Sequence, residues 1–288
     1  MSSLAVQPFE SRLLFISGDQ SGVGKSSIAM GILAMLLKSG SYISSELAYI
    51  KPCTQCEDVQ LVCKYCQINS IAHQSLGPII FYQGYTQQCI DGTAPDTVNE
   101  RHEKIKQAVT EISKGKKLVL VDGVGYPAVG SVCGVSNADV ALLLQAPILV
   151  VGRPGIGNAI DSMNYIIAYF NTHSVTVLGG CWNKIPDDNN RTKHYVTKYY
   201  RQNKDYSHFS CYGFIPMTND QKKYPADNAE VNNKGLSCRL KISETDMHLT
   251  EKEKLICDVI IESVEANFDL KMLLEDLERY YTTKFQCT

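Results

Sequence analysis

The chain has 288 residues, 44% apolar and 20% charged, with 28 basic against 30 acidic side chains and a formal net charge of −2. That composition excludes a disordered chain. The near-neutral balance argues against a nucleic-acid binder, because such proteins carry a basic excess to neutralise phosphates.

At this length about 75% of the unfolded surface can be buried, which allows one large α/β domain or two smaller ones. No apolar run reaches the roughly 18–20 residues of a membrane span. The most apolar stretch, Ala138 to Val151, is broken by Gln145 and Pro147. The opening MSSLAVQPFESR lacks a basic head and a long apolar core, so a cytoplasmic chain without a secretory signal is expected. The 11 cysteines are then expected to be mostly free thiols in a reducing compartment.

In chain order, Leu13 to Ser17 reads as a buried strand and is followed by a glycine-rich turn. Ser26 to Lys38 has helical spacing, with Ile28, Ile32, Met35 and Leu36 on one face and Gly40 ending it. Leu47 to Ile50 is a short strand, and Val59 to Ile71 and Val98 to Ser113 are predicted helices. Leu118 to Val121, closed by Asp122, has the uninterrupted apolar character of a parallel strand covered on both faces. Ser136 caps a helix running to Gln145, Ile148 to Val151 is a strand, and Ala159 to Phe170 is a helix. Val175 to Leu178 and Cys211 to Ile215 are strands, separated by a Tyr/Lys/Arg-rich helix near Lys193 to Gln202.

Alternating strands and helix-length segments imply a mostly parallel sheet flanked by helices. Asn219 to Lys234 reads as a polar linker, and Thr250 to Thr283 as one or two helices. This divides the chain into a domain over residues 1–218 and an extension over 219–288. The pattern leaves open whether the extension packs on the domain.

The strongest signal is the run Gly18-Asp19-Gln20-Ser21-Gly22-Val23-Gly24-Lys25-Ser26 between a strand and a helix. Gly22 and Gly24 let successive amides turn inward, and the helix start attracts anionic oxygens. Lys25 supplies a point charge for β and γ phosphates, and the Ser26 hydroxyl can ligate Mg2+. Asp19 stands where the usual pattern has its first glycine. Asp122, at the end of an apolar strand, is the second candidate metal ligand.

With these residues, the sequence resembles dethiobiotin synthetase and its relatives among the P-loop NTPases, over roughly Leu13 to Met217. The family loop reads GTDTxVGKT. Lys51-Pro52 resembles its KP motif, and Val121-Asp122-Gly123-Val124-Gly125 its VEGAGG. The stretch ADVALLLQAPILVVGRPGIG resembles its ADLA…PVILVVxxGLG segment. Asn183-Lys184-Ile185-Pro186 and Gly213-Phe214-Ile215-Pro216 resemble its two adenine-side motifs. Gly125 to Val140 is closer to a branch in which such a domain stands alone or precedes a phosphotransacetylase domain.

The resemblance implies an α/β P-loop NTPase fold with a short C-terminal helical extension, binding ATP and Mg2+. Gly22, Val23, Gly24, Lys25, Ser26 and Ser27 would hold the phosphates, and Asn183 and Pro216 the adenine. Ser26 and Asp122 would hold Mg2+, with Asp122 one methylene shorter than the family's Glu. Lys51 would meet the carbamate and the transferring phosphate, and Gly155 and Gly157 would line the substrate side.

The implied reaction is carbamate formation from 7,8-diaminopelargonate and CO2, phosphorylation by ATP and ring closure, in a homodimer. The catalytic residues would be Lys25 and Lys51. Departures gather on the substrate side. Gln55 and Cys56 replace the Ser/Thr-Gly of the KP motif, and Ile160 replaces an Asn. The further Mg2+-binding Asp has no match beyond Asp58. A nucleotide-binding regulatory module of the same fold is the alternative. A MinD-like ATPase is disfavoured, because Gln20 stands where that class wants a lysine.

Cys53, Cys56, Cys63 and Cys66 form two C-x-x-C pairs with a gap shorter than zinc patterns use, so thiols without metal are the favoured reading. Asp187-Asp188-Asn189-Asn190 lacks the glycine and spacing of a calcium loop and reads as a solvated turn. Tyr195, Tyr199 and Tyr200 among Lys198 and Arg201 read as an amphipathic helix rather than a nucleic-acid surface.

Overall fold

A computed structural model describes residues 9–55, 59–186, 189–217 and 247–285. The strands are β1 (Arg12–Gly18), β2 (Leu47–Ile50), β3 (Cys53–Gln55), β4 (Ala72–Gln74), β5 (Ile79–Phe81), β6 (Leu118–Asp122), β7 (Ile148–Gly152), β8 (Val177–Ile185) and β9 (Ser210–Pro216). The helices are α1 (Lys25–Lys38), α2 (Leu61–Ile68), α3 (Tyr85–Asp91), α4 (Val98–Ser113), α5 (Asn137–Leu144), α6 (Ile156–Thr172), α7 (Asn189–Gln202), α8 (Glu251–Asn267) and α9 (Leu270–Phe285).

A seven-stranded sheet runs in the order β4-β2-β6-β1-β7-β8-β9, with every pairing parallel. β3 and β5 pair separately as a small parallel ribbon. Side chains alternate across a strand, so β1 feeds two cores. Leu13 and Phe15 join a cluster with residues of α4, α5, α6 and α7. Leu14 and Ile16 join another with residues of α1, α2, α8 and α9. Helices cover both faces, which is why β6 and β7 are apolar without alternation.

The C-terminal helices close the second face. Thr250 caps α8, its hydroxyl accepting from the Glu253 amide at 3.2 Å. A Cβ on Gly31 of α1 would lie 2.6 Å from Val264 of α8, so the two helices meet backbone against side chain. The Tyr281 hydroxyl of α9 accepts from Leu13 N at 2.7 Å and donates to Leu13 O at 2.9 Å.

Several elements differ from the sequence reading. The helix expected over Val59 to Ile71 stops at Ile68, where Ser70 takes a positive φ and the chain enters β4. β8 runs to Ile185 instead of stopping at Leu178, because Gly179 and Gly180 are strand residues here. A Cβ at Gly179 would fall 2.1 Å from Ser210 O, so close strand approach demands the glycine. β3, β4, β5 and α3 were not expected.

Candidate functional site

The glycine-rich loop leaves β1 at the C-terminal edge of the sheet and enters α1. Gly24, at φ 98°, is the residue before the helix, a left-handed conformation that suits glycine. A Cβ at Gly18 would meet Val23 Cγ1 at 2.7 Å, because the loop folds back over the strand end. Ser26 and Ser27 lie half-buried in the first turn of α1.

Asp19 turns its carboxylate away to the end of β7. Its Oδ2 accepts from Arg153 N at 3.0 Å and Arg153 Nε at 2.9 Å. An acid inside an anion-binding loop would repel phosphate, and this part-buried pairing with Arg153 offsets that charge.

The polar centre lies between α1, β2 and β6. Asp122 is fully buried. Its Oδ2 accepts from Ser26 Oγ at 2.6 Å and Tyr49 Oη at 2.7 Å. Its Oδ1 has no hydrogen-bond partner among the described residues. Ser26 Oγ also lies 3.2 Å from Gln60 Oε1, at the start of α2. The shorter contact to a carboxylate takes the single hydroxyl proton.

A buried carboxylate oxygen left over beside a hydroxyl is a donor set that fits a hard divalent cation such as Mg2+. Ser26 and Asp122 would hold it, with the Gln60 amide facing the same place. Burial, and then the charge of Asp122, push the Tyr49 hydroxyl well above its ordinary pKa, so it stays a proton donor.

Lys25 is buried, and its Nζ donates to Gly125 O at 3.0 Å. The turn after β6 is held from behind. Asn137 Nδ2 donates to Val124 O and Tyr126 O at 3.1 Å, and Asn137 Oδ1 accepts from Val124 N at 3.1 Å.

On the other flank, buried Asn183 of β8 donates from Nδ2 to Val23 O at 2.9 Å, and Lys184 Nζ donates to Gly22 O at 2.7 Å. Pro216 ends β9 in register with Ile185. Asn183 is thus tied to the loop, and Pro216 lies one strand further out.

Lys51 follows Ile50, which pairs with Val121, so it leaves β2 level with Asp122 and is buried there. Gly77 lies against it, since a Cβ there would be 2.2 Å from Lys51 O. The β3–β5 ribbon continues this wall, with Gln55 exposed and Thr54 Oγ1 buried without a partner among the described residues. Gly155 and Gly157 begin α6 after β7, exposed. In the order β2-β6-β1-β7 they stand three strand spacings from Lys51, about 14 Å at the usual separation.

Tyr49, Gln60, Arg153 and Asn137 escape a sequence reading. Tyr49 is the one residue with a hydrogen-bonding side chain in the otherwise aliphatic strand Leu-Ala-Tyr-Ile, and that was the available signal.

Cys56, Asp58, Asp187 and Asp188 lie outside the described residues. Cys53, Cys63 and Cys66 are buried. Burial pushes the Cys53 thiol up to about 12 and that of Cys63 up to about 11, and raises Cys66 as well. No group of three or more His, Cys, Asp or Glu that could hold a metal ion occurs among the described residues. On α7, Tyr200 is buried with its ring 4.5 Å from that of Phe209, while Tyr195 and Lys198 face outward, as an amphipathic helix requires. No helix among the described residues is long and apolar enough to cross a membrane.

No curated protein matches the chain. Among solved structures, an apo GTPase from Pyrococcus abyssi is similar at 12% identity and TM-score 0.47, over 97% of this chain and 100% of that one. A putative plasmid partition protein from Borrelia burgdorferi bound to AMPPNP is similar at 12% and 0.48, over 93% and 98%. A MinD cell division protein from Aquifex aeolicus is similar at 12% and 0.45, over 76% and 86%. The family model AAA_26, described as an AAA domain, matches residues 12–223. With the phosphate loop, its serine and the strand-end aspartate assembled on a parallel sheet, the chain belongs to the AAA_26 family of P-loop NTPases.

Proposed function

We propose that the chain is a Mg2+- and ATP-dependent ligase of the dethiobiotin synthetase type, which phosphorylates a carbamate or carboxylate acceptor. The observation that carries this reading is the presence of two buried lysines at this sheet edge, Lys25 in the phosphate loop next to Ser26 and Lys51 after β2 level with Asp122. A phosphate loop alone needs only the first. A second buried cation at the end of β2 suits an anionic acceptor facing the γ phosphate.

In this reading the loop amides of Gly22 to Gly24 and Lys25 bind the β and γ phosphates, and Ser26 and Ser27 begin the helix beneath them. Asn183 and Pro216 flank adenine. Mg2+ held at Ser26 and Asp122 supplies charge neutralisation when bound. Lys51 orients the carbamate of 7,8-diaminopelargonate, formed with CO2. The carbamate oxygen attacks the γ phosphorus, the bond to the β-phosphate oxygen breaks, and ADP leaves. The second amine then attacks the carbamoyl carbon, phosphate leaves, and the amine loses its proton. Gly155 and Gly157 lie too far along the sheet to meet the same acceptor atoms as Lys51. They suit the distal end of a long substrate or a second subunit of a homodimer. In this reading the nucleotide domain spans residues 1–218 and the extension 219–288, whose helices α8 and α9 pack on one sheet face.

A second reading, a nucleotide-binding regulatory module, is favoured by Gln55 and Ile160 and by the neutral Gln60 beside Ser26. Phosphate release from Mg-ATP, measured with and without 7,8-diaminopelargonate plus bicarbonate, separates them. The ligase reading expects release that depends on the diamine and falls at least about 100-fold in Lys51→Ala, the scale of losing an oriented charge. ATP binding without diamine dependence overturns it in favour of the module.

A further inference from the structure

We propose that Tyr49 is a positioning residue of the divalent-cation site: its hydroxyl fixes the Asp122 carboxylate so that Oδ1 alone faces the cation. The proposal rests on the metal part of the function proposed above and adds a residue to it.

An ionised carboxylate offers about four lone-pair directions over two oxygens. In Asp122 the two available donors converge on one of them. Ser26 Oγ at 2.6 Å and Tyr49 Oη at 2.7 Å both reach Oδ2, while Oδ1, also buried, has no partner among the described residues. A buried charged oxygen without a hydrogen bond is costly, so this asymmetry suits a positively charged or donating ligand at Oδ1.

Ser26 alone could not enforce it. Its hydroxyl sits on the first turn of α1, also lies near Gln60 Oε1, and has only one proton to give. Tyr49 is different in kind. It is fully buried in β2, its backbone pairs with both β4 and β6, and it belongs to the same core cluster as Leu14, Ile16 and Leu120. Such a phenol does not move with the loop, and it holds Asp122 from the sheet side while Ser26 holds it from the helix side. A carboxylate that only the serine held could rotate about its own axis and present either oxygen.

The test is Tyr49→Phe, which keeps the ring and removes the hydroxyl. Mn2+ binding to the ADP complex is read by electron paramagnetic resonance, ADP affinity in excess EDTA by calorimetry, and folding by melting temperature. The expected result is a loss of about tenfold in Mn2+ affinity, the lower end for removing an outer-shell partner, with metal-free ADP affinity unchanged. Unchanged Mn2+ affinity overturns the proposal, as does an equal loss of ADP affinity in EDTA, which marks a structural role.

If the wild-type ADP complex itself binds no Mn2+, the metal reading fails and not merely the role of Tyr49. Should Tyr49→Phe melt early, wild-type protein carrying 13Cζ-labelled tyrosine gives the second reading. One buried tyrosine resonance is expected to move when Mg2+ is added to the ADP complex, and the absence of any moved resonance overturns the proposal.

Discussion

The two ends of β1 treat the same polar groups in opposite ways. At the N-terminal end β7 begins only opposite Phe15, so Leu13 has backbone groups that no strand reaches on that side. Tyr281 fills the gap, accepting from Leu13 N and donating to Leu13 O. At the C-terminal end the chain turns through Gly22 and Gly24, and the polar groups converge on a fully buried Asp122 whose Oδ1 has no partner among the described residues. One end is satisfied by the protein itself, and the other, in the function proposed above, is where a ligand completes the site. Stability and binding are therefore separable along a single strand, and substitutions at the two ends should fall on different measurements.

The largest expected effect is at the ligand end. Lys25→Ala should weaken ATP binding at least about 100-fold, since it removes the one loop cation aimed at the phosphates. Its Nζ donates to the Gly125 carbonyl at the mouth of the loop, away from both hydrophobic clusters, so the melting temperature should stay within a few degrees of wild type. Calorimetric titration and thermal melting on the same preparations check both halves. Intact ATP affinity with a large loss of stability would reverse the comparison.

Tyr281→Phe is the complementary break. It leaves the Leu13 amide and carbonyl unpaired in the core, which should cost about 1–3 kcal/mol in denaturant unfolding. ATP affinity should not change, because the hydroxyl lies at the far end of the strand from the loop. A variant that lost nucleotide affinity without losing stability would show that β1 couples its two ends.

How much of this was legible depends on the range over which each feature is built. β1, β6 and β7 could be read because runs such as Leu-Val-Leu-Val are apolar without interruption, and that follows from burial on both faces. The loop could be read because its glycines, lysine and serine are contiguous. β8 was cut short because the glycines that allow close approach to β9 look like a break in a single strand. The β3–β5 ribbon is three residues per strand, too short for a period to show. The bonds that shape the site join distant positions. Tyr49 meets Asp122 across 73 residues and Arg153 meets Asp19 across 134, and neither partner announces the other locally. The C-terminal helices were legible as helices. Their role was not, because it consists of contacts such as Val264 on Gly31 and Tyr281 on Leu13.

The smallest expected effect sharpens the comparison by asking how far the open end extends. Cys53 stands two residues beyond Lys51, and Cys63 and Cys66 lie one turn apart on α2. If the wall around Lys51 were as accessible as the loop, these thiols would react readily. Their burial says otherwise, and it raises each above the ordinary thiol range, to about 12 for Cys53 and about 11 for Cys63. At pH 8 that leaves a thiolate fraction of roughly one in ten thousand and one in a thousand, and the thiolate is the form that attacks an electrophile or ligates metal. Brief exposure to N-ethylmaleimide at pH 8, mapped by mass spectrometry, should therefore leave Cys53, Cys63 and Cys66 unmodified until denaturant is added. Raising the pH to 9 increases each thiolate fraction about tenfold but leaves it at or below roughly one in a hundred, so the same thiols should still resist. Rapid native-state modification of Cys53 would mean that the acceptor wall opens in solution. The division drawn along β1 would then run through the site itself, with a fixed nucleotide side at Asp122 and a moving side beyond Lys51.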